Sequence, residues 1–220
     1  RWGFGAQSER IVSRLPTQLE IDDAMARMGA EYLVINESNL EVVKTKDIQI
    51  DLSGVAKGYA VDEVAVALED FNIDSYFIEV GGEIKLKGFK PSNEEWLPAI
   101  EAPAAGTYEI YEVLSSRGEA FSLAGSGDYR NYFEIDGARY SHEIDPRTGR
   151  PVTHDLAAAF VITESAAEAD ALATAFMILG LEESKLVIDR SSISAFLISR
   201  VSENNFEHFV TSTFAQYVLK

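Results

Sequence analysis

The sequence predicts an α+β fold of mixed, largely antiparallel sheets with helices packed on them. Three observations predict it. Asp136-Gly137 separates two strand-like stretches, YFEI and ARYSHEI, which is the pattern of a tight two-residue hairpin. The segment from Ser165 to Gly180 has helical patterning, with Ser165 and Glu168 spaced as a capping box and Gly180 as a stop. Strand-like stretches also follow one another directly, mixed with helices rather than alternating regularly with them.

In chain order, EIDDAMARMG (20–29) reads as a short helix closed by Gly29. EYLVIN, NLEVVK and DIQIDLS read as strands. KGYAVDEVAVALEDF places Val61, Val64, Ala65, Leu68 and Phe71 at helical spacing, just after a glycine-bearing loop. SYFIEV and EIKLKG alternate like strands around Gly81-Gly82, and residues 96–135 look mostly extended. LAAAFVIT reads as a buried strand, and LEESKLVID (181–189) as a second short helix after Gly180. ISAFLIS, NFEHFVT and FAQYVL read as closing strands. A length of 220 residues fits one large domain or two small ones; no repeat, linker or low-complexity segment divides it, and residues 1–220 are read as one domain.

The bulk properties exclude several functions. A formal net charge of -17 argues against nucleic-acid binding, which needs basic patches to meet phosphate. An anionic small ligand would need local help from a metal ion, helix N-termini or a few focused arginines. No apolar run is long enough to span a bilayer. The chain has no cysteine, so disulfides, zinc–thiolate sites and thiol nucleophiles are ruled out. RWGFG reads like the middle of a longer protein, so an upstream segment, with any targeting signal, is expected to be missing.

Several constellations could carry chemistry. In EADALATAF, Asp170 and Thr174 lie four apart on a helix among alanines and share a face. A carboxylate and a hydroxyl form a hard oxygen pair suited to magnesium, which takes few protein ligands. The same spacing also fits a salt-bridged aspartate and a threonine bonding back into its own helix. DLSGVAKGYAVD (51–62) reads strand, loop, helix; its helix start and Lys57 favour phosphate, although the P-loop pattern is absent. Taken alone, the segment fits an ordinary strand-to-helix connection, with glycines for turn geometry, better than a phosphate site. In VGGEI (80–84) the glycines either leave room for a planar ligand or form a bulge. SGDYRNYFEI offers Asp128, Tyr129 and Arg130, or simply a polar hairpin rim.

The most unusual stretch is SHEIDPRTGRPVTHD (141–155). His142 stands three residues before Asp145, and Pro146, Gly149 and Pro151 turn the chain into a rigid loop. An imidazole there can take a proton from a hydroxyl, oriented by a nearby carboxylate. A structural turn with a surface histidine has the same spacing. Together, a cation pair, a phosphate-tolerant helix start and a general base make a toolkit for chemistry on a nucleotide pyrophosphate.

These blocks resemble, in order, the signature blocks of the ApbE-type FAD:protein FMN transferases: DLSGVAKGYAVD, VGGEI, SGDYRNYFEIDGARYSHEIDPRTGRPV and EADALATAFMILG. The likeness runs from WGFG to the closing strands. It implies an ApbE-like fold and magnesium-dependent transfer of FMN from FAD to a Thr or Ser hydroxyl of a target flavoprotein, with release of AMP. It implies that Asp170, Thr174 and the Ala60 carbonyl bind Mg2+, that His142 is the base, supported by Asp145, and that Lys57, Glu63, His142 and Ile144 line the FAD pocket. Arg147 would hold the loop or offset phosphate charge. The family's N-terminal segment, which supplies strands and flavin contacts, is expected to be missing. The resemblance further implies a bacterial periplasmic or cell-envelope protein, a lipoprotein at the inner membrane. Two other activities fit the same residues: a magnesium-dependent FAD pyrophosphatase giving FMN and AMP, or a non-catalytic FAD-binding protein.

Overall fold

A computed structural model describes residues 2–4, 14–104, 109–129, 131–202 and 205–219. In chain order the elements are α1 (Gln18–Met25), a 3₁₀ turn at Ala30–Tyr32, β1 (Leu33–Asn36), β2 (Glu41–Lys44), α2 (Ala56–Asp70), β3 (Tyr76–Val80) and β4 (Glu83–Lys87). There follow β5 (Ala99–Glu101), β6 (Ile110–Val113), β7 (Phe121–Gly127), β8 (Tyr132–Ile135), β9 (Ala138–Ser141), β10 (Ile144–Asp145) and β11 (Arg150–Pro151). The chain closes with β12 (Leu156–Thr163), α3 (Ala166–Ser191), β13 (Ser194–Ser202), β14 (Asn205–Val210) and α4 (Ser212–Ala215). Two compact units result: Arg1–Asp51 with Tyr132–Thr153, and Leu52–Asn131 with His154–Lys220.

The larger unit is built on a six-stranded sheet in the order β14-β13-β12-β7-β4-β3. Every neighbouring pair is antiparallel. β12 is buried on both faces, which is why its sequence is a continuous apolar run rather than an alternating one. Ala158, Phe160 and Ile162 join Ile100, Leu114 and Phe214 in one core cluster. Ala159 and Val161 join Phe176 and Met177 of α3 in another. Leu156 falls in that second cluster against strict alternation, because the register shifts between Leu156 and Ala158. α2 packs on α3 and β3 through Val61, Ala65, Tyr76, Ile78 and Ala166.

α2 and α3 cap each other. The N-terminus of α2 has no side-chain cap of its own at Val55. Its Gly58 amide donates instead to Asp170 Oδ2 of α3 at 3.0 Å. In return Asp62 of α2 accepts from the Ala166 and Ala167 amides at 3.0 Å each and from Ser165 Oγ at 2.8 Å, at the start of α3. Each carboxylate thus satisfies donors that the first turn of a helix leaves without intrahelical partners. Gly58 is required for this approach: a Cβ there would stand 2.1 Å from the Ala166 carbonyl oxygen.

In the smaller unit, β1 pairs with β2, β8 with β9, and β10 with β11. The hairpin read at Asp136-Gly137 is present: Ile135 faces Ala138, and both turn residues have positive φ, 53° and 75°. α1 carries a full capping box between Thr17 and Glu20.

Four sequence readings need correction. α1 begins at Gln18 and ends at Met25, before Gly29, which instead precedes the 3₁₀ turn. DIQIDLS forms no strand. FAQYVL is not a strand: Thr211 caps the short helix α4, and Val218 makes a single bridge to Leu114. Val64 of α2 and Phe71, which lies just beyond the helix, are exposed, because α2 buries the narrower face of Gly58, Val61 and Ala65. The Gly180 reading holds. Gly180 breaks the α3 helix with φ 76° and ψ 176°, and helix continues beyond it to Ser191.

Candidate active site

The metal-type residues lie in the larger unit. Asp170 is 2 % exposed, on the face of α3 that meets α2. Its Oδ2 is taken by the Gly58 amide, and its Oδ1 lies 3.7 Å from Lys57 Nζ. That second contact is an ion pair but too long for a hydrogen bond. Thr174, one turn on, shares a hydrogen bond of 3.1 Å with the Ser126 hydroxyl of β7. Gly54 faces it, where an added Cβ would come within 3.4 Å of Thr174 Cγ2. The Thr174 hydroxyl is therefore turned towards β7.

Lys57 hydrogen-bonds the Glu83 carboxylate through Oε1. Glu83 opens β4 and is fully buried. Its other oxygen, Oε2, has no hydrogen-bond partner. Burial pushes the Glu83 carboxyl above its ordinary range; Lys57 opposes the rise and the Asp170 charge adds to it. Gly81 and Gly82 form the two-residue turn between Val80 and Glu83, with φ of 63° and 104°, rather than a bulge. Gly81 leaves room for the lysine: a Cβ there would meet Lys57 Cδ at 3.0 Å.

Ala60 and Glu63 follow on α2. The Ala60 carbonyl lies within the helix; such an oxygen keeps a lone pair beyond its helical bond. Glu63 is on the exposed face and hydrogen-bonds Tyr59, raising the phenol's pKa. No group of three or more His, Asp or Glu side chains poised to hold a metal occurs among the described residues. A cation at Asp170 would therefore be held by one carboxylate with hydroxyl and backbone oxygens. That donor set is all oxygen, and it fits magnesium.

The base-type residues lie in the smaller unit. His142 follows β9, with its side chain 30% exposed and Nε2 3.5 Å from Glu143 Oε1. Glu143 is buried, and its amide is held by Ser141 Oγ at 3.1 Å. Asp145, read as the support for His142, holds Arg147: Oδ1 accepts from the Arg147 amide at 2.8 Å and from Nε at 3.0 Å, and Oδ2 accepts from Nη2 at 2.9 Å. This pairing is the loop-holding role read for Arg147. The Thr148 and Gly149 amides close the turn on the Asp145 carbonyl at 3.2 and 2.8 Å. Trp2 Nε1 donates to the Gly149 carbonyl at 2.7 Å. Ile144, on β10, faces Pro151 and is half-buried. Phe4 meets the His142 ring edge-on at 6.2 Å and stacks on Phe133, which stacks on Tyr140. The stacked rings form an aromatic column whose Phe4 end meets the imidazole.

Three residues of these clusters escaped the sequence reading. Glu83 was hidden behind the two glycines before it, although its alternation with Ile84 and Leu86 places it on the opposite face of β4, towards the helices. Glu143 and Asp62 were given no role of their own, because the carboxylate beside His142 and the cap at the start of α3 appear only once the chain is folded. Asp128, singled out with its neighbours, is held by Arg200 through two bonds of 3.0 Å. Arg130 lies outside the described residues.

The sequence matches the ApbE family model over residues 1–197. It is 38% identical over 219 residues to a Vibrio cholerae protein named FAD:protein FMN transferase, covering 100% of this chain and 64% of that protein. It is 35% identical over 221 residues to the Escherichia coli K12 protein of the same name, covering 99% of this chain and 62% of the relative. Among solved structures, the apo flavinyl transferase ApbE of Pseudomonas stutzeri superposes with a TM-score of 0.83 at 37% identity, over 98% of this chain and 65% of that one. The flavin transferase ApbE of Vibrio cholerae superposes with a TM-score of 0.84 at 34% identity, over 98% and 67%. The chain thus spans less than two thirds of the length of these curated relatives.

Proposed function

The chain belongs to the ApbE family, and from that premise we propose that it transfers FMN from FAD to a Thr or Ser hydroxyl of a target flavoprotein, releasing AMP. One observation carries the reading beyond the family name. Asp170, at the family's metal position, is a buried carboxylate with one oxygen fixed by the Gly58 amide and the other 3.7 Å from the Lys57 ammonium. A cation could replace that charge without rebuilding the helix contact.

In this reading Asp170, Thr174 and the Ala60 carbonyl hold Mg2+, which when bound neutralises charge on the phosphate oxygens. Lys57 adds positive charge for the diphosphate, and Glu63 and Ile144 contact FAD. His142 accepts the proton of the acceptor hydroxyl as that oxygen forms a bond to the FMN phosphorus. The phosphorus–oxygen bond to AMP breaks, and AMP leaves with the electron pair. Glu143, 3.5 Å from the His142 ring, is placed to stabilise the imidazolium so formed. Asp145 acts indirectly, by holding Arg147 and the loop that follows His142.

The reading also carries the family's location: the periplasmic side of a bacterial inner membrane, as a lipoprotein. No helix among the described residues is long and apolar enough to cross a membrane.

The test is incubation with FAD, MgCl2 and a candidate acceptor flavoprotein, followed by denaturing electrophoresis and in-gel flavin fluorescence. Covalent fluorescence on the acceptor, abolished by Asp170→Asn, is expected. FMN and AMP formed without labelling would instead assign a pyrophosphatase, and bound FAD without AMP a binding protein.

A further inference from the structure

Lys57, Glu83 and Asp170 form a chain of alternating charge inside the larger unit, and its spacing is uneven. The Lys57 ammonium hydrogen-bonds Glu83 but stands 3.7 Å from Asp170 Oδ1. The β3–β4 turn enforces this bias. Gly81 lets the lysine stem lie across the turn, and Glu83 follows the turn immediately. The Glu83 side chain is only 1% exposed, and its Oε2 lacks a hydrogen-bond partner. A buried carboxylate so poorly satisfied is costly, because burial disfavours its charged form. A well-packed apolar residue could fill that volume without the cost.

We propose that Glu83 is a positioning residue that holds the Lys57 ammonium away from Asp170 and so keeps Asp170 Oδ1 open to a divalent cation. The inference rests on the metal reading of Asp170. Without Glu83 the nearest anion for Lys57 among the described residues is Asp170 itself, and an ammonium there opposes a cation. Lys57 is 43% exposed, so removing Glu83 leaves it hydrated rather than stranded, and the fold should survive.

The test is a titration with Mn2+, a hard stand-in for Mg2+, followed through the electron paramagnetic resonance of the free ion, on the wild type, Asp170→Asn, Glu83→Gln, Lys57→Met and the Glu83→Gln/Lys57→Met double variant. Circular dichroism checks folding. Glu83→Gln should weaken Mn2+ binding about tenfold while Lys57 is present, and Lys57→Met should tighten it. In the Lys57→Met background, Glu83→Gln should change affinity by no more than about threefold. An equal loss in both backgrounds would mean that Glu83 ligates the cation or merely supports the fold, and would overturn the proposal. An unchanged affinity in Glu83→Gln would overturn it too. Should Glu83→Gln not fold, Lys57→Met decides alone, since unchanged or weaker binding contradicts the proposal. Wild type and Asp170→Asn binding Mn2+ alike would instead defeat the metal reading on which the proposal stands.

Discussion

The Asp170 carboxylate accepts the Gly58 amide from 112 residues away in the chain, at 3.0 Å, and so caps the helix α2. This single bond joins the KGYA block to the ADALAT block. It also fixes the rotamer of the one buried carboxylate at the candidate metal position.

Replacing Gly58 should therefore damage fold and site together. In Gly58→Ala the new Cβ would lie 2.1 Å from the Ala166 carbonyl oxygen, so α2 and α3 must separate. Overpacking of this kind costs about 1–3 kcal/mol. The expected result is a lower Tm with weakened Mn2+ binding. An unchanged Tm would show that the helices are not packed as described.

Asp62 makes a pH-dependent prediction. Burial raises its pKa, but Lys85, the Ala167 and Ala166 amides and Ser165 outweigh it, so the carboxyl lies below its usual 3.8. A depressed acid stabilises the fold above its unfolded pKa and loses that contribution as pH falls through the folded value. Asp62→Ala should thus cost about 3 kcal/mol near neutrality. The gap from wild type in urea denaturation should stay constant down to about pH 4 and narrow below it. A gap independent of pH would contradict the ionised cap.

Gly180 should tolerate no side chain. Its φ of 76° and ψ of 176° suit glycine alone, and a Cβ would stand 2.7 Å from His154 Cδ2. His154 is itself tied to the Met177 carbonyl at 2.9 Å, which limits its retreat. Gly180→Ala should lower stability by about 2 kcal/mol or more, read as a shift in the urea midpoint.

Much of this was legible in the sequence, and the failures have physical causes. β12 and α3 were readable because their patterns are long and α3 carries strong signals at its start, Ser165, and at its internal break, Gly180. The Asp136-Gly137 hairpin was readable because so few residues adopt two successive positive φ angles. FAQYVL misled because its alternation is local, whereas Thr211 and the burial of Phe214 decide its structure. At the site, the spacing of Asp170 and Thr174 was visible. The partners that define them were not: Gly58, Lys57, Glu83 and Ser126 arrive from distant strands and helices, and pairings at such separation leave no local pattern. Asp145 was read beside His142 in the same turn, and its carboxylate is found paired with Arg147 two residues on, a contact that the spacing alone did not single out.

His142→Ala should leave the fold intact, since the ring is 30% exposed and no core cluster includes it. Loss of a general base lowers turnover by about 10²–10⁴-fold. The expected profile is an unchanged Tm with transfer reduced to that extent. His142→Ala with wild-type transfer would remove the imidazole from the reaction.

The most direct measurement is the ratio of AMP released to flavin covalently attached to an acceptor hydroxyl, followed in one reaction by chromatography and protein mass spectrometry. Transfer predicts equal amounts of the two at every time point, with both lost in Asp170→Asn. AMP accumulating without attached flavin, or attached flavin persisting in Asp170→Asn, would contradict the account.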